Sequence, residues 1–576
     1  MRRRGAMRVC VFALLRCIGG ESSYSAEFET AAGDGRGYCF RSADRPADVE
    51  QSRCVVAADA ASVDAAVRVR VSAAATSASA TSPLPQRWAL RSNRQHLYVA
   101  AFVLDHRREV ARRPDGSAVF SSVRKLRHND TFALDAPALQ PGWTLHVYVA
   151  SNALEASSSC GISVESDDAL ERAPHVGGYR GMVDASAAPA ECKRVYSRLL
   201  CIDGGGSRGV IPLAVLAEVE RRTGTRAADA FDMIAGTSTG AVVAAALGIA
   251  QLPVEVVQHL YHDLARLIFG SRGLSQIQRA NRLRAILSAV FGAGATLESS
   301  HKGPAVLIVS TDASTTQLRP FVFRNFRAPT LGGGCFLLDA GSENCGVVEA
   351  LMASTAAPPF FPRRNATVDG VPRRLLDGAL VANNPTAFAL AEIAALNAEA
   401  AEAPLDLVVS LGTGAAPARA RRELEAGDGH VQSTLDFAEG LLNLLTDVDA
   451  THELVKRTLR TRWRGHELDK RYHRLDAVLD AGQLKLDVGD DHALRNLRLM
   501  AVDFLKREKS REWHALLEAL KQRTTPNDVR VSPLGDDDVA VAIPVPHASW
   551  LRPYRKKVAK VTGLSGFFSQ KKRLGW

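Results

Sequence analysis

The sequence predicts an α/β fold with a mostly parallel central sheet, together with a β-rich region nearer the N-terminus. After residue 198, helical patterns alternate with short apolar segments typical of buried strands, at 199–202, 305–309 and 405–409. Strands that alternate with helices favour a parallel sheet covered by helices on both faces, which gives three layers. Between about residues 86 and 165, two segments instead have the composition and alternation of β-strands.

Three segments are predicted in the first third of the chain. Residues 1–85 are rich in Ala, Ser and Asp, so we expect a low-complexity segment there. Residues 86–176 contain Tyr98–Leu104 and Thr144–Val149, whose composition and alternation predict strands of a small β-rich domain. Residues 177–197 are expected to form a linker.

Two strand–helix pairs open the predicted α/β domain, which we place at residues 198–480. The first helical pattern, Val210–Arg222, carries its apolar residues on one face, and Gly224 follows it as a typical helix C-terminus. The second pair ends in the helical pattern Thr239–Leu247. Later helical patterns predict a helical extension over residues 481–549.

Composition and charge exclude several classes of protein. The hydrophobic fraction of 46% and the charged fraction of 23% exclude a disordered chain, a coiled-coil rod and a collagen-like fibre. The net charge of +10 favours an anionic partner, such as a membrane surface. Nine cysteines without a C-x-x-C pair favour a reducing compartment.

The N-terminus contains an apolar stretch, Val9–Leu15, that follows three arginines. It is shorter than a secretory signal and has no clear small-residue cleavage site. We therefore expect a cytoplasmic protein, with secretion as the alternative. No run of about 18 apolar residues predicts a transmembrane helix, so we expect peripheral membrane association.

A glycine-rich turn, Asp203–Gly209, lies between the first strand and the first helix, with the sequence DGGGSRG. Consecutive glycines place no Cβ between the backbone and a ligand, and amides at a helix N-terminus bind anions. The anion is either a phosphate or the oxyanion of an ester-cleaving reaction. The lysine of a phosphate-binding loop is absent, and so is the acidic residue that binds the ribose in a G-x-G-x-x-G dinucleotide site, which favours the oxyanion. A glycine-rich surface turn without a ligand is the alternative.

The segment Gly236–Gly240, with the sequence GTSTG, predicts a second strand-to-helix turn. A G-x-S-x-G turn exposes its central hydroxyl, here that of Ser238, and the flanking Gly236 and Gly240 make the sharp backbone path possible. The pattern is weak alone, but the glycine-rich turn upstream supports a reactive serine. A structural turn with a buried serine is the alternative.

A serine nucleophile requires a base. His430 and His452 follow Ser238 in the chain order of an α/β-hydrolase triad, but both lie in polar, helix-forming sequence where histidines are usually solvated. Asp377 instead ends an apolar strand and precedes a glycine. A carboxylate buried beside a serine hydroxyl has a raised pKa and accepts the proton directly, so Asp377 is the preferred base. An ordinary turn aspartate is the alternative.

Together these segments resemble the patatin-like phospholipase family, whose pattern is D-G-G-G-x-[RK]-G, G-x-S-x-G and D-G-[GA]. The matching segments here are Asp203–Gly209, Gly236–Gly240 and Asp377–Ala379. Further segments similar to the family are Ala353–Pro362, Asn383–Pro385, Ser410–Gly414 and, more loosely, Tyr472–Asp476. The resemblance covers residues 198–480.

The resemblance implies a patatin-like three-layer α/β/α domain that cleaves fatty acyl esters of glycerophospholipids through a Ser-Asp dyad. Ser238 would be the nucleophile and Asp377 the base. The oxyanion hole would be formed by Gly204, Gly205, Gly206 and Arg208. The resemblance implies no metal, no cofactor and no nucleic-acid partner. A triacylglycerol lipase and a catalytically silent lipid- or anion-binding module are the alternatives.

The segment 550–576 carries a separate signal, because it has eight Lys or Arg residues and no acidic residue. Its interleaved aromatic residues are Trp550, Tyr554, Phe567, Phe568 and Trp576. Basic residues attract anionic lipids and aromatic side chains settle at the membrane interface, so this segment predicts contact with an anionic membrane. A solvated tail and a nuclear-localisation-like cluster at Arg555–Lys560 are the alternatives.

Overall fold

The computed structural model describes the backbone of strands between residues 9 and 91 and most residues between 97 and 521. The described ranges in that second part are 97–126, 131–136, 143–151, 196–271, 273–292, 295–297, 303–326, 341–342, 345–369, 371–397, 405–415, 448–463, 465–480, 483–507 and 509–521. The chain divides into two compact units. The first comprises residues 1–193, 255–264 and 281–295, and the second comprises 194–254, 265–280 and 296–576.

The first unit contains two antiparallel sheets of five described strands each. Its strands are β1 (Val9–Ile18), β2 (Tyr24–Thr30), β3 (Arg36–Cys39), β4 (Gln51–Ala60), β5 (Ala66–Ala73), β6 (Gln86–Arg91), β7 (Leu97–Leu104), β8 (Phe120–Leu126), β9 (Thr131–Ala136) and β10 (Thr144–Ser151). One sheet has the order β3-β4-β1-β6-β9 and the other β2-β5-β10-β7-β8. Every adjacent pair in both sheets is antiparallel. The predicted N-terminal β-rich region is therefore present.

Strands begin much earlier in the chain than the sequence analysis placed them. The segment 1–85, expected to be of low complexity, contains β1–β5, and the apolar stretch Val9–Leu15 lies in β1. The sequence of β5, AVRVRVSA, does carry the alternation of a strand. Elsewhere the segment is rich in alanine and serine, which give little contrast between the two faces of a strand.

The second unit is built on a mixed sheet of nine described strands. Its strands are β11 (Arg198–Ile202), β12 (Met233–Thr237), β13 (Ala305–Asp312), β14 (Arg319–Arg324), β15 (Gly341–Ser342), β16 (Arg364–Val368), β17 (Val371–Asp377), β18 (Leu407–Leu411) and β19 (Tyr472–Leu475). The order is β15-β14-β13-β12-β11-β18-β19, with β17 paired to β13 and β16 to β17. From β13 to β19 the neighbours are parallel. Strands β14, β16 and β17 add antiparallel pairs, so the prediction of a mostly parallel sheet is confirmed with a mixed edge.

Helices flank this sheet, as the alternating pattern predicts. The described helices of the chain, of which α4 and α5 lie largely in the first unit, are α1 (Val210–Thr223), α2 (Ala227–Ala230), α3 (Thr239–Gly248), α4 (Val254–Phe269), α5 (Gln276–Phe291), α6 (Val347–Ser354), α7 (Ala379–Ala382), α8 (Thr386–Leu396), α9 (Asp449–Arg462), α10 (His466–Arg471), α11 (Asp491–Arg507) and α12 (Ser510–Lys521). Every residue of α3 is buried, which explains why all its residues after Thr239 are apolar or glycine. Gly224 ends α1 in the left-handed conformation, at φ 66°, and its N–H donates to the Glu220 carbonyl.

The predicted C-terminal helical extension begins with α11 and α12, both of which pack against α1. None of the described helices is long and apolar enough to cross a membrane. Residues 522–576, which include the basic and aromatic tail at 550–576, lie outside the described residues. His430 also lies outside them.

Candidate active site

Two strands meet end to end along one edge of β13. A strand has two edges, and β14 occupies one of them along Leu307–Asp312. On the other edge β12 pairs with β13 as far as Val309, and β17 pairs with it from Ser310 onward in the opposite direction. The C-terminal ends of β12 and β17 therefore converge, and they deliver Ser238 and Asp377 to the same place.

Ser238 occupies a sharp turn between β12 and α3. Its backbone has φ 52° and ψ −118°, a conformation that costs free energy in any residue with a Cβ and is typical of reactive sites. A Cβ on Gly236 would overlap the Gly240 carbonyl, and a Cβ on Gly240 would overlap the carbonyl of Ile202. The tight packing of α3 against β12 and β11 thus requires both glycines of the GTSTG pattern.

The Ser238 hydroxyl donates a hydrogen bond of 2.6 Å to Oδ2 of Asp377. The second carboxylate oxygen, Oδ1, accepts the backbone N–H of Ala379 at 2.8 Å. Asp377 is 2% exposed, whereas Ser238 is half-buried. The serine is therefore open to a substrate, while the carboxylate behind it is held by hydrogen bonds and shielded from water.

Burial raises the pKa of Asp377 to about 7, and the hydrogen bonds from Ser238 and from the Ala379 N–H oppose that rise. An ordinary aspartate is too weak a base to compete for a serine proton at neutral pH. A carboxylate with a pKa near the operating pH is both ionised in part and basic enough to accept that proton. The arrangement can therefore activate the hydroxyl without a histidine.

Ser354 positions the turn and was not identified by the sequence analysis. Its Oγ accepts the Ser238 backbone N–H at 2.9 Å and donates to the Val309 carbonyl at 2.6 Å. This residue ends α6 and is fully buried. The only signal in the sequence was its place in the segment Ala353–Pro362, which gives no role for an individual side chain.

The glycine-rich turn lies against the serine turn. A Cβ on Gly204 would lie 3.3 Å from the Cβ of Ser238, and a Cβ on Gly205 would overlap Thr413. The Gly204 N–H donates to the Asn383 carbonyl at 3.2 Å, so this amide already has a partner. The Gly205 N–H donates to no group among the described residues, and it is free to bind an anion.

Comparison with known proteins identifies this region. A family model described as patatin-like phospholipase matches residues 200–390, which hold both turns, Ser238 and Asp377. Residues 200–390 are thus similar to the patatin-like phospholipase family.

Three curated relatives are similar to part of this chain. Phospholipase A I of Arabidopsis thaliana is 29% identical over 298 residues, which are 41% of this chain and 22% of that protein. Calcium-independent phospholipase A2-gamma of Mus musculus is 28% identical over 323 residues, 54% of this chain and 38% of that protein. The cUMP-AMP-activated phospholipase of Escherichia coli is 34% identical over 197 residues, 34% of this chain and 58% of that protein. The chain thus spans less than two thirds of each relative.

Arg208 of the patatin-like domain was expected near the oxyanion. The structure buries its side chain, and Nη1 donates to the Gly414 carbonyl at 3.3 Å. Its guanidinium therefore contacts the turn after β18. Thr239 instead joins the serine turn to the glycine turn, since its hydroxyl donates to the Gly206 carbonyl at 2.8 Å.

A buried ionic network supports the glycine turn of the patatin-like domain from behind. Arg474 Nη2 contacts carboxylate oxygens of Asp203 at 2.6 Å and Asp476 at 2.7 Å, and Nη1 donates to Ser410 Oγ at 2.8 Å. The other oxygen of Asp476 accepts the Gly414 N–H at 2.9 Å. Burial raises the pKa of Asp203, although the Arg474 charge opposes this effect. The network fixes the ends of β11, β18 and β19 relative to one another.

His452 does not serve the serine in this structure. Its Nδ1 lies 2.8 Å from the Tyr472 hydroxyl, and the two rings stack with centroids 5.6 Å apart. Burial is the main cause that lowers the pKa of His452. Within the described part of the chain, the hydroxyl of Ser238 is therefore paired with a carboxylate, as the sequence analysis preferred.

Proposed function

We propose that the patatin-like domain is a serine ester hydrolase of the phospholipase A type, which cleaves fatty acyl esters of glycerophospholipids. The observation that carries the proposal is the 2.6 Å hydrogen bond between the accessible Ser238 and the buried Asp377. A glycine turn with a free N–H at Gly205 lies beside this pair. The relatives are all named phospholipases, which supports a phospholipid as substrate.

The first half-reaction transfers the acyl group to the protein. Ser238 Oγ attacks the ester carbonyl carbon while its proton moves to Oδ2 of Asp377, and the carbonyl π electrons move onto oxygen. The N–H group of Gly205 stabilises the resulting oxyanion. The carbonyl then re-forms, the ester C–O bond breaks, and Asp377 returns the proton to the departing oxygen of the lysophospholipid.

The second half-reaction regenerates the serine. A water molecule gives its proton to Asp377 and attacks the acyl carbon, which forms a second oxyanion in the same site. As this intermediate collapses, the bond to Ser238 Oγ breaks and Oγ takes the proton from Asp377. The products are a fatty acid and the free protein. No metal ion and no cofactor takes part in this scheme.

The proposal is tested with the purified full chain on a lipid panel. Vesicles of phosphatidylcholine or phosphatidylglycerol and emulsions of triacylglycerol serve as substrates, with release of fatty acid as the readout. We expect phospholipid hydrolysis that disappears in Ser238→Ala. A triacylglycerol preference would instead identify a neutral-lipid lipase, which uses the same ester chemistry.

A fluorophosphonate probe separates an enzyme from a silent lipid-binding module. The probe should label the wild-type chain and the exposed-serine control Ser122→Ala to the same extent, and it should not label Ser238→Ala. A folded wild-type chain that resists the probe would contradict the proposed function.

A further inference from the structure

Two neighbouring asparagines follow α7, and their side chains differ sharply in hydrogen bonding. Asn384 is fully engaged, because its Oδ1 accepts the Thr386 N–H at 3.0 Å and its Nδ2 donates to Ser410 Oγ at 3.4 Å. Asn383 is 6% exposed, yet its carboxamide makes no hydrogen bond with any described residue. One asparagine therefore has a structural task, while the other leaves its polar end unpaired.

An unpaired carboxamide is costly inside a protein. A buried polar group without a partner costs about 1–3 kcal/mol, and most buried side-chain polar atoms in folded proteins have a partner. The Oδ1 atom of Asn383 has none among the described residues. Because the unpaired carboxamide of Asn383 lies beside the reactive serine, we infer that its hydrogen-bond partner is the substrate.

The carboxamide lies on the face of the glycine turn that carries the serine. A Cβ placed on Gly204 would overlap Oδ1 of Asn383 and would lie 3.3 Å from Ser238 Cβ. The position is fixed from the backbone, because the Asn383 carbonyl accepts the Gly204 N–H at 3.2 Å. Arg208, the side chain expected at the oxyanion, is hydrogen-bonded to the Gly414 carbonyl.

We propose that Asn383 is a further catalytic residue, whose carboxamide N–H donates a hydrogen bond to the substrate carbonyl oxygen as negative charge develops on it. The two ends of a carboxamide have nearly the same shape, and a half-turn about χ2 exchanges them. No described partner of Asn383 opposes that exchange. This hydrogen bond stabilises the transition state more than the bound substrate, because negative charge develops on the oxygen only as the reaction proceeds. This inference rests on the proposed ester hydrolysis.

The test compares Asn383→Ala and Asn383→Asp with wild type in the full chain, on a soluble short-chain ester. Loss of one such donor lowers kcat by a factor on the order of 10²–10³, and we expect this loss with KM changed less than about threefold. Asn383→Asp keeps the size of the side chain but presents oxygen at both ends, so it should be no more active than Asn383→Ala. The rate at which a fluorophosphonate labels Ser238 should fall in parallel, because that reaction also places negative charge on the bound oxygen.

Asn384→Ala is the matched structural control. It removes the acceptor of the Thr386 N–H and should lower the melting temperature, whereas Asn383→Ala removes no described hydrogen bond and should leave the melting temperature at or above that of wild type. A kcat for both Asn383 variants within threefold of wild type would overturn the proposal. So would a rise in KM at unchanged kcat, which would indicate a contact with a remote part of the substrate. A wild-type chain that neither hydrolyses esters nor reacts with the probe overturns the proposed function itself.

Discussion

Burial of a single carboxylate determines the chemistry proposed for Ser238. Asp377 is removed from water at the end of β17, and among the described residues its carboxylate oxygens accept hydrogen bonds from Ser238 and the Ala379 N–H. No described cation pairs with it, so burial dominates and the pKa rises to about 7. The same desolvation that makes the carboxylate basic also makes its charged form unfavourable in the folded protein.

This leads to a prediction for Asp377→Asn. The amide cannot accept the serine proton, so turnover should fall by a factor on the order of 10³ or more. Because the folded-state pKa lies above the unfolded value of 3.8, folding favours the protonated carboxyl, and stability is lost as pH rises through about 7. Above that pH the buried charge of Asp377 lowers the free energy of unfolding by at most about 4 kcal/mol. The neutral amide of Asn carries no charge, so the variant does not lose this stability.

Thermal unfolding of wild type and Asp377→Asn at pH 5 and pH 8 measures this effect. The variant should melt higher than wild type at pH 8, and the difference should shrink at pH 5. His452→Ala, which disturbs only a half-buried ring against Tyr472, should keep its turnover. An active Asp377→Asn combined with an inactive His452→Ala would contradict the Ser-Asp dyad.

The sequence predicted the roles of those residues whose flanking residues form a recognisable pattern. Glycines at fixed offsets indicate the turn around Ser238, and a strand followed by glycine indicates Asp377. Ser354 and Arg474 act on residues far away in the chain; the Ser354 contact to the Ser238 N–H spans 116 positions. Only the packed sheet brings such pairs together, so no local pattern could identify them.

At the scale of elements, the site depends on how closely α3 approaches β11. The first turn of α3 touches the end of β11 at Gly240, where a Cβ would overlap the Ile202 carbonyl. The sequence predicted these two elements and the turn between them. It did not predict that β17 would run antiparallel and meet β12 end to end, because antiparallel pairing depends on contacts between distant segments.

Gly240→Ala tests this close approach, with Gly224→Ala as the matched control. Gly224 has φ 66° but open space around it, so alanine there should cost only about 1–2 kcal/mol of backbone strain. Gly240 lies inside a helix, where alanine is intrinsically favoured by about 1 kcal/mol, so any loss of stability comes from the overlap. We expect Gly240→Ala to melt well below Gly224→Ala and to lose fluorophosphonate labelling. Equal melting temperatures would show that α3 can move away from β11 without harm.

At the scale of the whole molecule, the patatin-like region is one part of a longer chain. The two N-terminal sheets contain strands from Val9 onward and carry no group that the proposed reaction uses. Composition alone did not predict β1–β4, because alanine and serine are compatible with both a strand and a linker. The +10 net charge is likewise unevenly placed, with eight basic residues and no acidic residue in 550–576.

The last prediction is that the segment 550–576 increases membrane binding without affecting the reaction. A phospholipase must reach a substrate embedded in a bilayer, and each basic residue near an anionic surface contributes about 1 kcal/mol. Deleting 550–576 should therefore weaken binding to phosphatidylglycerol vesicles and leave the turnover of a soluble short-chain ester unchanged.

Two sets of substitutions separate the electrostatic and the aromatic parts of this binding. Replacing the eight Lys and Arg residues with Gln should remove the part of vesicle binding that weakens as salt shortens the Debye length from about 10 Å at 0.1 M to about 3 Å at 1 M. Replacing the five aromatic residues with Ala should instead remove the salt-resistant component. Vesicle binding equal to that of the full chain after deletion would contradict the membrane role, and loss of soluble-ester turnover would show that the segment belongs to the folded domain.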